Sequence, residues 1–116
     1  MATPLNTFKT ITAELTTSGS VDYGTGPIYT TPAITSAIVL MAQVSNVADI
    51  PAAVTASHYD PTSGATTEQV KNFVVPVADA VGILVGKLVL TAGQQFYANA
   101  SADGCLKLTL SILESK

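Results

Sequence analysis

Charged residues are scarce in this chain of 116 residues. Only 11% of the residues are charged, against roughly a quarter in a typical soluble domain, whereas 47% are hydrophobic. A chain with this much apolar side chain can bury a core, which excludes disorder as its overall state. A surface with so little charge either depends on hydroxyl groups for solubility or is covered by a partner.

Arginine and tryptophan are absent, and the five basic residues are all lysine in a chain of net charge −3. Arginine supplies the bidentate contacts that read guanine, and non-specific binding to nucleic acid needs a basic patch. The composition therefore excludes nucleic acid as a partner. The absence of tryptophan also removes the best stacking platform for a sugar ring.

Cysteine occurs once, as Cys105. A single cysteine excludes an intrachain disulfide and a cysteine-cluster zinc site. The first six residues carry neither a cationic stretch nor an apolar core, so no signal peptide is expected. The longest uninterrupted apolar run, residues 37–42, is far shorter than the ~20 residues that a membrane-spanning helix needs. No membrane partner is expected.

The apolar and polar residues that are present alternate with period two, and threonine, valine and isoleucine are abundant. This pattern, interrupted by turns every ~8–12 residues, is typical of an antiparallel sandwich. We predict an all-β fold: a single β-sandwich or jelly-roll-like domain of seven to eight short strands. The alternative at one position is a helix within residues 76–84. The strand-like segments are residues 8–15, 28–31, 36–45, 52–59, 68–75, 95–100 and 105–114, together with two short apolar segments, residues 81–84 and 87–90, that are broken at Gly86.

Two turns and one strand stand out in this interpretation. Residues 36–45 form the most apolar stretch and predict a central strand. Residues 60–64 (DPTSG) predict the turn of a hairpin, because Asp bonds the following backbone, Pro presets φ and Gly tolerates positive φ. Residues 101–104 end in Asp-Gly and predict a second hairpin turn of the primed type. We divide the domain into an N-terminal arm with the first strand (residues 1–23) and the sandwich (residues 24–116).

The residues that could carry chemistry are few. His58 is the only histidine, and its neighbour Ser57 points to the opposite face of a strand, so the two cannot form a nucleophile–base pair. A dyad of His58 with Cys105 would need the fold to bring them together, and we interpret both as structural instead. Asp60 begins a turn that lacks the alternating oxygens and final glutamate of a calcium loop. We therefore expect no catalytic, metal-binding or cofactor-binding residues.

The four tyrosines are the remaining candidates for binding. Tyr23, Tyr29, Tyr59 and Tyr97 could stack on sugar rings, which keeps a carbohydrate-binding module open as an alternative. Tyrosine is also enriched at protein interfaces and at the rim of cores. We favour this second role for all four.

Four segments follow one another in an order that resembles a known family, over roughly three quarters of the chain. A threonine-proline sequence leads into an apolar strand, a hairpin follows, another strand ends in a proline-led corner, and a glycine-punctuated segment precedes the last alternating strand. The residues are YTTP at 29–32 with AIVL at 37–40, the turn at 60–67, VKNFVVPV at 70–77, and GKLVLTAGQQ at 86–95 with YANAS at 97–101.

These segments are similar to those of small all-β virion structural proteins of tailed bacteriophages, including phages of cyanobacteria. The chain departs from that pattern at residues 33–35 (AIT), where a glycine-containing turn is usual, and in its N-terminal extension. The resemblance implies a non-enzymatic virion protein that decorates or cements the capsid, with a neck, tail or fibre accessory as the alternative. It also implies assembly in the host cytoplasm and capsid, neck or tail subunits as partners.

The low charge adds an expectation about self-association. Lysine or proline on an exposed sheet edge normally prevents the edge from pairing with another chain. Five lysines are few for this purpose. We therefore expect a homo-oligomer, in the form of a trimer or ring. Residues 1–15 are expected to add a strand to a neighbour or to lie along its surface.

Overall fold

The computed structural model describes residues 6–17 and 27–115, and within them the protein is all-β, as predicted. These residues contain no helix, and hence none that is long and apolar enough to cross a membrane. Nine strands form two antiparallel sheets. Their bounds are β1 (Asn6–Glu14), β2 (Tyr29–Thr30), β3 (Ser36–Asn46), β4 (Ala52–Asp60), β5 (Ala65–Val75), β6 (Ala80–Gly82), β7 (Leu88–Leu90), β8 (Gln95–Ala100) and β9 (Leu106–Ser115).

The order of the strands is that of a jelly roll. One sheet, called sheet A here, has the order β1-β9-β3-β6, and β7 also pairs with β3; the other, sheet B, has the order β2-β8-β4-β5. Counted from the two ends inward, β1 pairs with β9, β2 with β8, β3 with β6 and β7, and β4 with β5. This is one long hairpin rolled up into a two-sheet sandwich, the arrangement that defines a jelly roll.

The sixth strand of the roll is split into β6 and β7. Both pairs lie on β3, β6 opposite residues 43–45 and β7 opposite residues 37–39. The chain between them leaves the ladder, Gly86 takes a φ of +82° and Val85 is fully exposed. The predicted break at Gly86 is therefore confirmed. The alternative of a helix in residues 76–84 is wrong, because β3 offers this segment a ladder of backbone partners.

The core lies between the two sheets and is formed by alternate residues of the long strands. Leu106, Leu108, Leu110 and Ile112 of β9 all point inward and are at most 1% exposed, as their alternation predicted. The inward residues of β4 and β8 form the other side of the core, from sheet B. Phe96 is the largest fully buried side chain among them. The central position predicted for residues 36–45 is confirmed, since β3 is paired on both sides.

The two predicted hairpin turns have different outcomes. β4 and β5 form the hairpin around residues 60–64, and Gly64 takes a φ of +73°. The prediction of a second hairpin at residues 101–104 is wrong. β8 lies in sheet B and β9 in sheet A, so these residues carry the chain from one sheet to the other. Gly104 has the expected positive φ of +75° but Asp103 does not, which rules out the primed type that needs both.

Part of the predicted N-terminal arm is described by the structure. Residues 6–14 form β1, which pairs over nine consecutive positions with β9 of the same chain. Leu15 then continues the contact with a backbone hydrogen bond of 2.9 Å to Leu106. The first strand is thus an edge strand of sheet A. The expectation that residues 1–15 contact a neighbour stays a prediction: residues 6–14 pair on one side within this chain, and residues 1–5 and 18–23 lie outside the described part of the chain.

Candidate binding surface

The structure places the histidine and the cysteine at opposite ends of the sandwich. His58 is half-buried, lies opposite Phe96 and contacts Gln94 through Nε2 and Oε1 at 3.0 Å. Ala100 ends β8 four residues further on, roughly 13 Å away along the strand. Cys105 follows beyond that end and is buried. The fold therefore does not bring His58 and Cys105 together as a dyad.

The Asp60 turn uses its carboxylate to hold its own backbone. Oδ1 accepts a hydrogen bond from the Thr62 amide at 3.0 Å, and Oδ2 accepts one from the Ser63 hydroxyl at 3.2 Å. The Gly64 amide closes the turn on the Asp60 carbonyl at 2.7 Å. This is the turn chemistry that the sequence predicted. In residues 6–17 and 27–115, no three acidic, histidine or cysteine side chains cluster in a way that could hold a metal ion.

The tyrosines within the described residues are largely covered. Tyr29 is buried in the core, and Tyr97 is only 8% exposed on the outer side of sheet B. The ring of Tyr59 meets that of Tyr97 edge-on, with centroids 6.1 Å apart, and the Tyr97 hydroxyl donates to Gln95 at 3.0 Å. A sugar ring needs an exposed aromatic face, which neither Tyr29 nor Tyr97 presents. Tyr23 lies outside the described residues.

A partly buried polar cluster joins the two sheets. The Tyr29 hydroxyl on β2 donates a hydrogen bond to Glu114 on β9, and Lys9 on β1 forms an ion pair with Glu114 at 3.2 Å. Burial, followed by the hydrogen bond and the negative charge of Glu114, raises the pKa of Tyr29 far above its usual range. We interpret this cluster as a structural clasp, because Glu114 contacts both Tyr29 of the other sheet and Lys9 of the neighbouring strand. Local sequence patterns carry no signal for this cluster, since its residues are distant in the chain.

The outer face of sheet A carries a row of apolar side chains that crosses four strands. Phe8 lies opposite Leu113, Leu113 opposite Ile38, and Ile38 opposite Val89. Directly opposite residues of an antiparallel ladder point to the same face. Because the neighbouring residues Ala37, Val39, Leu90 and Ile112 all point into the core, these four side chains, which we call the apolar row, point outward.

The apolar row is accessible. Phe8 is 75% exposed and Val89 57% exposed, while Leu113 and Ile38 between them are half-buried. Four strands spaced by about 4.8 Å make the row about 14 Å wide. A bulge in β3 between Val39 and Met41 widens the apolar area on one side, where Met41 is 38% exposed.

Polar residues border the apolar row on the same face. The row before it is formed by Asn6, Ser115 and Ser36, and the row after it begins with Thr10 and Ser111. Further along, Glu14 lies opposite Lys107, beside a shallow open groove of about 380 Å³. An apolar centre with a polar rim is the usual anatomy of a protein-binding surface. Sequence alternation marks the polar positions of β1 and β9 as outward-facing, but only the strand register places them side by side.

One exposed residue has an unfavourable backbone conformation. Ile34, two residues before β3, is 89% exposed and takes a φ of +58°. A β-branched residue in this region is a clear outlier, since its Cβ crowds the backbone. It falls within the AIT segment where the resembling family has a glycine-containing turn. The departure in sequence therefore coincides with a strained turn in the structure.

Comparison with solved structures finds a distant likeness. No family model matches the chain, and no curated protein matches it. A chain in the cryo-EM structure of the virus-like particle of the extra small virus of the giant freshwater prawn Macrobrachium rosenbergii is similar, with 13% identity and a TM-score of 0.44. The match covers 98% of this chain and 81% of that chain. A likeness this distant assigns no family, and the tailed-phage resemblance stays a prediction.

Proposed function

We propose that this protein is a non-enzymatic structural component of a virion, which binds neighbouring virion subunits and so stabilises or decorates the particle as a capsid cement or decoration protein. The observation that carries the proposal is the apolar row on the outer face of sheet A. A side chain such as Phe8, 75% exposed, on an otherwise hydroxyl-rich face marks a surface that a partner covers.

The free energy gained by burying the apolar row favours binding of many linked copies over one tight contact. Complete burial of Phe8 and Val89 contributes on the order of 2–4 kcal/mol, allowing for their partial exposure. Association costs an estimated 4–15 kcal/mol in lost freedom of movement, so the row holds one isolated copy only weakly. Copies linked in a symmetric cluster bind together with a much higher combined affinity. A particle surface presents such repeated sites, which agrees with the proposed trimer or ring.

The fold supports the proposal by analogy. Jelly rolls occur in viral capsid proteins, but also in lectins and cupins, so the architecture alone does not define the function. A lectin role needs exposed aromatic platforms, and Tyr29 and Tyr97 are covered. An enzymatic role needs an acid or base near a nucleophile, and His58 lies far from Cys105. The binding role is the one for which the described residues offer a suitable surface.

The test is a binding experiment with particles of the encoding virus that lack this protein. The wild type is expected to cosediment with the particles at a fixed number of copies. The double variant Phe8→Ser, Val89→Ser should bind at least about tenfold more weakly, because it removes the apolar contacts. Val47→Ser is the matched control, since Val47 is 55% exposed but lies outside the apolar row. Equal binding by the double variant and the wild type would contradict the proposal.

The same experiment distinguishes the possible places in the virion. Binding to heads alone supports a capsid decoration or cement protein, and binding to tails alone supports the neck, tail or fibre accessory. The apolar row predicts binding to one of these structures through the same residues. Loss of binding to glycans on substitution of Tyr59 would favour the carbohydrate-binding module instead.

A further inference from the structure

The sandwich has long edge strands at only two of its borders within the described residues. β2 is two residues long and β6 and β7 have three residues each, so they offer little backbone for pairing. β5, with eleven residues, borders sheet B, and β1, with nine, borders sheet A. An edge strand presents a row of unpaired amide and carbonyl groups that can pair with another chain.

The edge of β5 is protected against pairing with another strand. Its register with β4 shifts twice, between Val54 and Ala56 and between Ala56 and Ser57. Asn72 takes a φ of +53° at the first of these irregularities, next to Lys71. Bulges and lysines are the devices by which natural sheets prevent edge-to-edge pairing. β5 is therefore a poor template for another strand.

The edge of β1 is less protected than that of β5. Its nine positions pair with β9 without any irregularity, which leaves a regular ladder of backbone groups on the other side. Lys9 is its only lysine, and its ammonium group pairs with Glu114 at 3.2 Å while 46% of the side chain stays exposed, so this inward-pointing charge protects the edge only in part. No other described strand pairs with β1. Among the described strands, β1 therefore offers the longest edge without a bulge.

We propose that two copies of this chain pair through β1 in an antiparallel ladder, with a two-fold axis at Ile11, to form one continuous sheet across both subunits. The inference deepens the proposed assembly role and rests on it for its biological purpose. Its geometry comes from β1 alone. A second copy is the natural occupant because a strand that pairs with itself about a two-fold axis forms an isologous, closed contact.

The symmetry restricts the register. A two-fold axis perpendicular to the sheet keeps the core-facing side of both copies on the same side, so only residues of the same face can lie opposite each other. With the axis at Ile11, this half-buried side chain meets its own counterpart and covers its remaining apolar surface. Thr10 meets Thr12 of the partner subunit on the outer face, a favourable cross-strand pair.

The charges of β1 are compatible with this register. Lys9 lies opposite the small Ala13 of the partner subunit, which leaves the inward ion pair with Glu114 undisturbed. Glu14 lies opposite Phe8 of the partner subunit. No like charges face each other, a contact that would destabilise the ladder.

The pairing stops at two copies. At the far side of sheet A, β6 and β7 have only three residues each, so the joined sheet cannot continue through them. The contact therefore predicts a dimer and not a fibre. Such dimers could then be gathered into the larger symmetric clusters of the proposed assembly.

A cysteine-crosslinking experiment tests the register directly, in the full-length chain with Cys105→Ala. Ile11→Cys places two cysteines opposite each other, with Cα atoms about 4.5–5.5 Å apart, within reach of a disulfide. Ala13→Cys, on the same face, is the matched control, because four residues of offset separate the two copies by about 14 Å. The expected result is a covalent dimer under mild oxidation for Ile11→Cys alone. Equal crosslinking of both variants, or of neither, overturns the proposed register.

A charge variant tests the interface without crosslinking. Ile11→Lys opposes two ammonium groups and removes the isoleucine contact, and it should raise the dissociation constant of the dimer about tenfold. Thr66→Lys on the β5 edge is the control and should leave the dimer unchanged. Light scattering after size-exclusion chromatography gives the mass. A wild type that is monomeric at every concentration overturns the inference.

The experiments distinguish a failure of the proposed β1 dimer from a failure of the proposed virion role. If Ile11→Lys is monomeric but still binds particles, with reduced apparent affinity, both proposals stand. If the wild type dimerises through β1 but does not bind any particle, the edge pairing is correct and the virion role is wrong. If the wild type binds particles and Ile11→Cys never crosslinks, the virion role is correct and the edge pairing is wrong.

Discussion

The hydroxyl of Tyr29 donates a hydrogen bond to the carboxylate of Glu114, and this contact joins the two sheets of the sandwich. Tyr29 belongs to β2 of sheet B, and Glu114 lies near the end of β9 in sheet A. Lys9 reaches the same carboxylate from β1, so one acidic group holds three strands. β1 also carries Phe8 of the apolar row and the proposed dimer edge.

Substitution of Tyr29 by Phe should lower the free energy of unfolding by about 1.5–3 kcal/mol, because it removes a buried hydrogen bond to a charged group. Tyr97→Phe is the matched control. It removes a hydrogen bond between two neutral groups, Tyr97 and Gln95, and should cost only about 0.5–1.5 kcal/mol. Urea denaturation followed by circular dichroism measures both. An equal or smaller loss for Tyr29→Phe would show that the charge of Glu114 adds nothing beyond an ordinary hydrogen bond between neutral groups.

The raised pKa of Tyr29 predicts a loss of stability at alkaline pH. In the unfolded chain tyrosine ionises near pH 10, whereas the folded protein keeps the proton to higher pH. The stabilisation is therefore fully present below pH 10 and decreases as the pH rises further, by at most about 1.4 kcal/mol per pH unit. Tyr29→Phe should show a smaller decrease between pH 9 and pH 11.5. Part of the slope will remain, because burial also raises the pKa of Tyr97.

Thr31 offers a test of an unsatisfied polar group. Its side chain is 1% exposed, and its Oγ1 has no hydrogen-bond partner among the described residues. Thr31→Val keeps the shape and removes the hydroxyl, so it should raise the free energy of unfolding by about 1 kcal/mol. Thr35→Val is the control and should be destabilising, since Thr35 Oγ1 donates to the Ala33 carbonyl at 3.1 Å. A loss of stability in Thr31→Val would indicate that this hydroxyl has a partner in solution.

The turn at Ile34 predicts a substitution that increases stability. Ile34→Gly should stabilise the protein by about 1 kcal/mol, because glycine adopts a φ of +58° without the crowding of a branched Cβ. Little burial is lost, since Ile34 is 89% exposed. Val47→Gly is the matched control: Val47 is also exposed but has no positive φ, so glycine should destabilise it. The thermal midpoints of the two variants should move in opposite directions from that of the wild type.

Local patterns were sufficient to predict the fold class and most strands. The alternation in residues 106–112 marked the inward side chains of β9, because a strand that lies on a core has one buried face. The chemistry of Asp60 and Gly64 marked the β4–β5 turn. The same reasoning gave a wrong result at residues 101–104. An Asp-Gly pair indicates that the chain turns, but it does not show whether the next strand pairs with the previous one or crosses to the other sheet.

The binding surface needed information that local patterns lack. Alternation separates Phe8 and Leu113 from the core-facing residues of their strands, but the uninterrupted apolar run at residues 37–42 predicted a strand start buried on both sides and did not mark Ile38 as outward. The adjacency of the residues in the apolar row depends on the register of four strands that are far apart in the chain, and a shift by one residue would turn each side chain to the other face. The clasp between Tyr29 and Glu114 has the same origin. Sequence therefore predicts the sandwich, whereas the surfaces it presents depend on non-local pairing.

Mass spectrometry of purified virions, separated into heads and tails, tests the central claim most directly. We expect the protein in one of these fractions in a fixed ratio to the major subunit, because a structural component occupies a repeated site. Its absence from both fractions, in infected cells that contain the protein, would contradict a structural role in the particle.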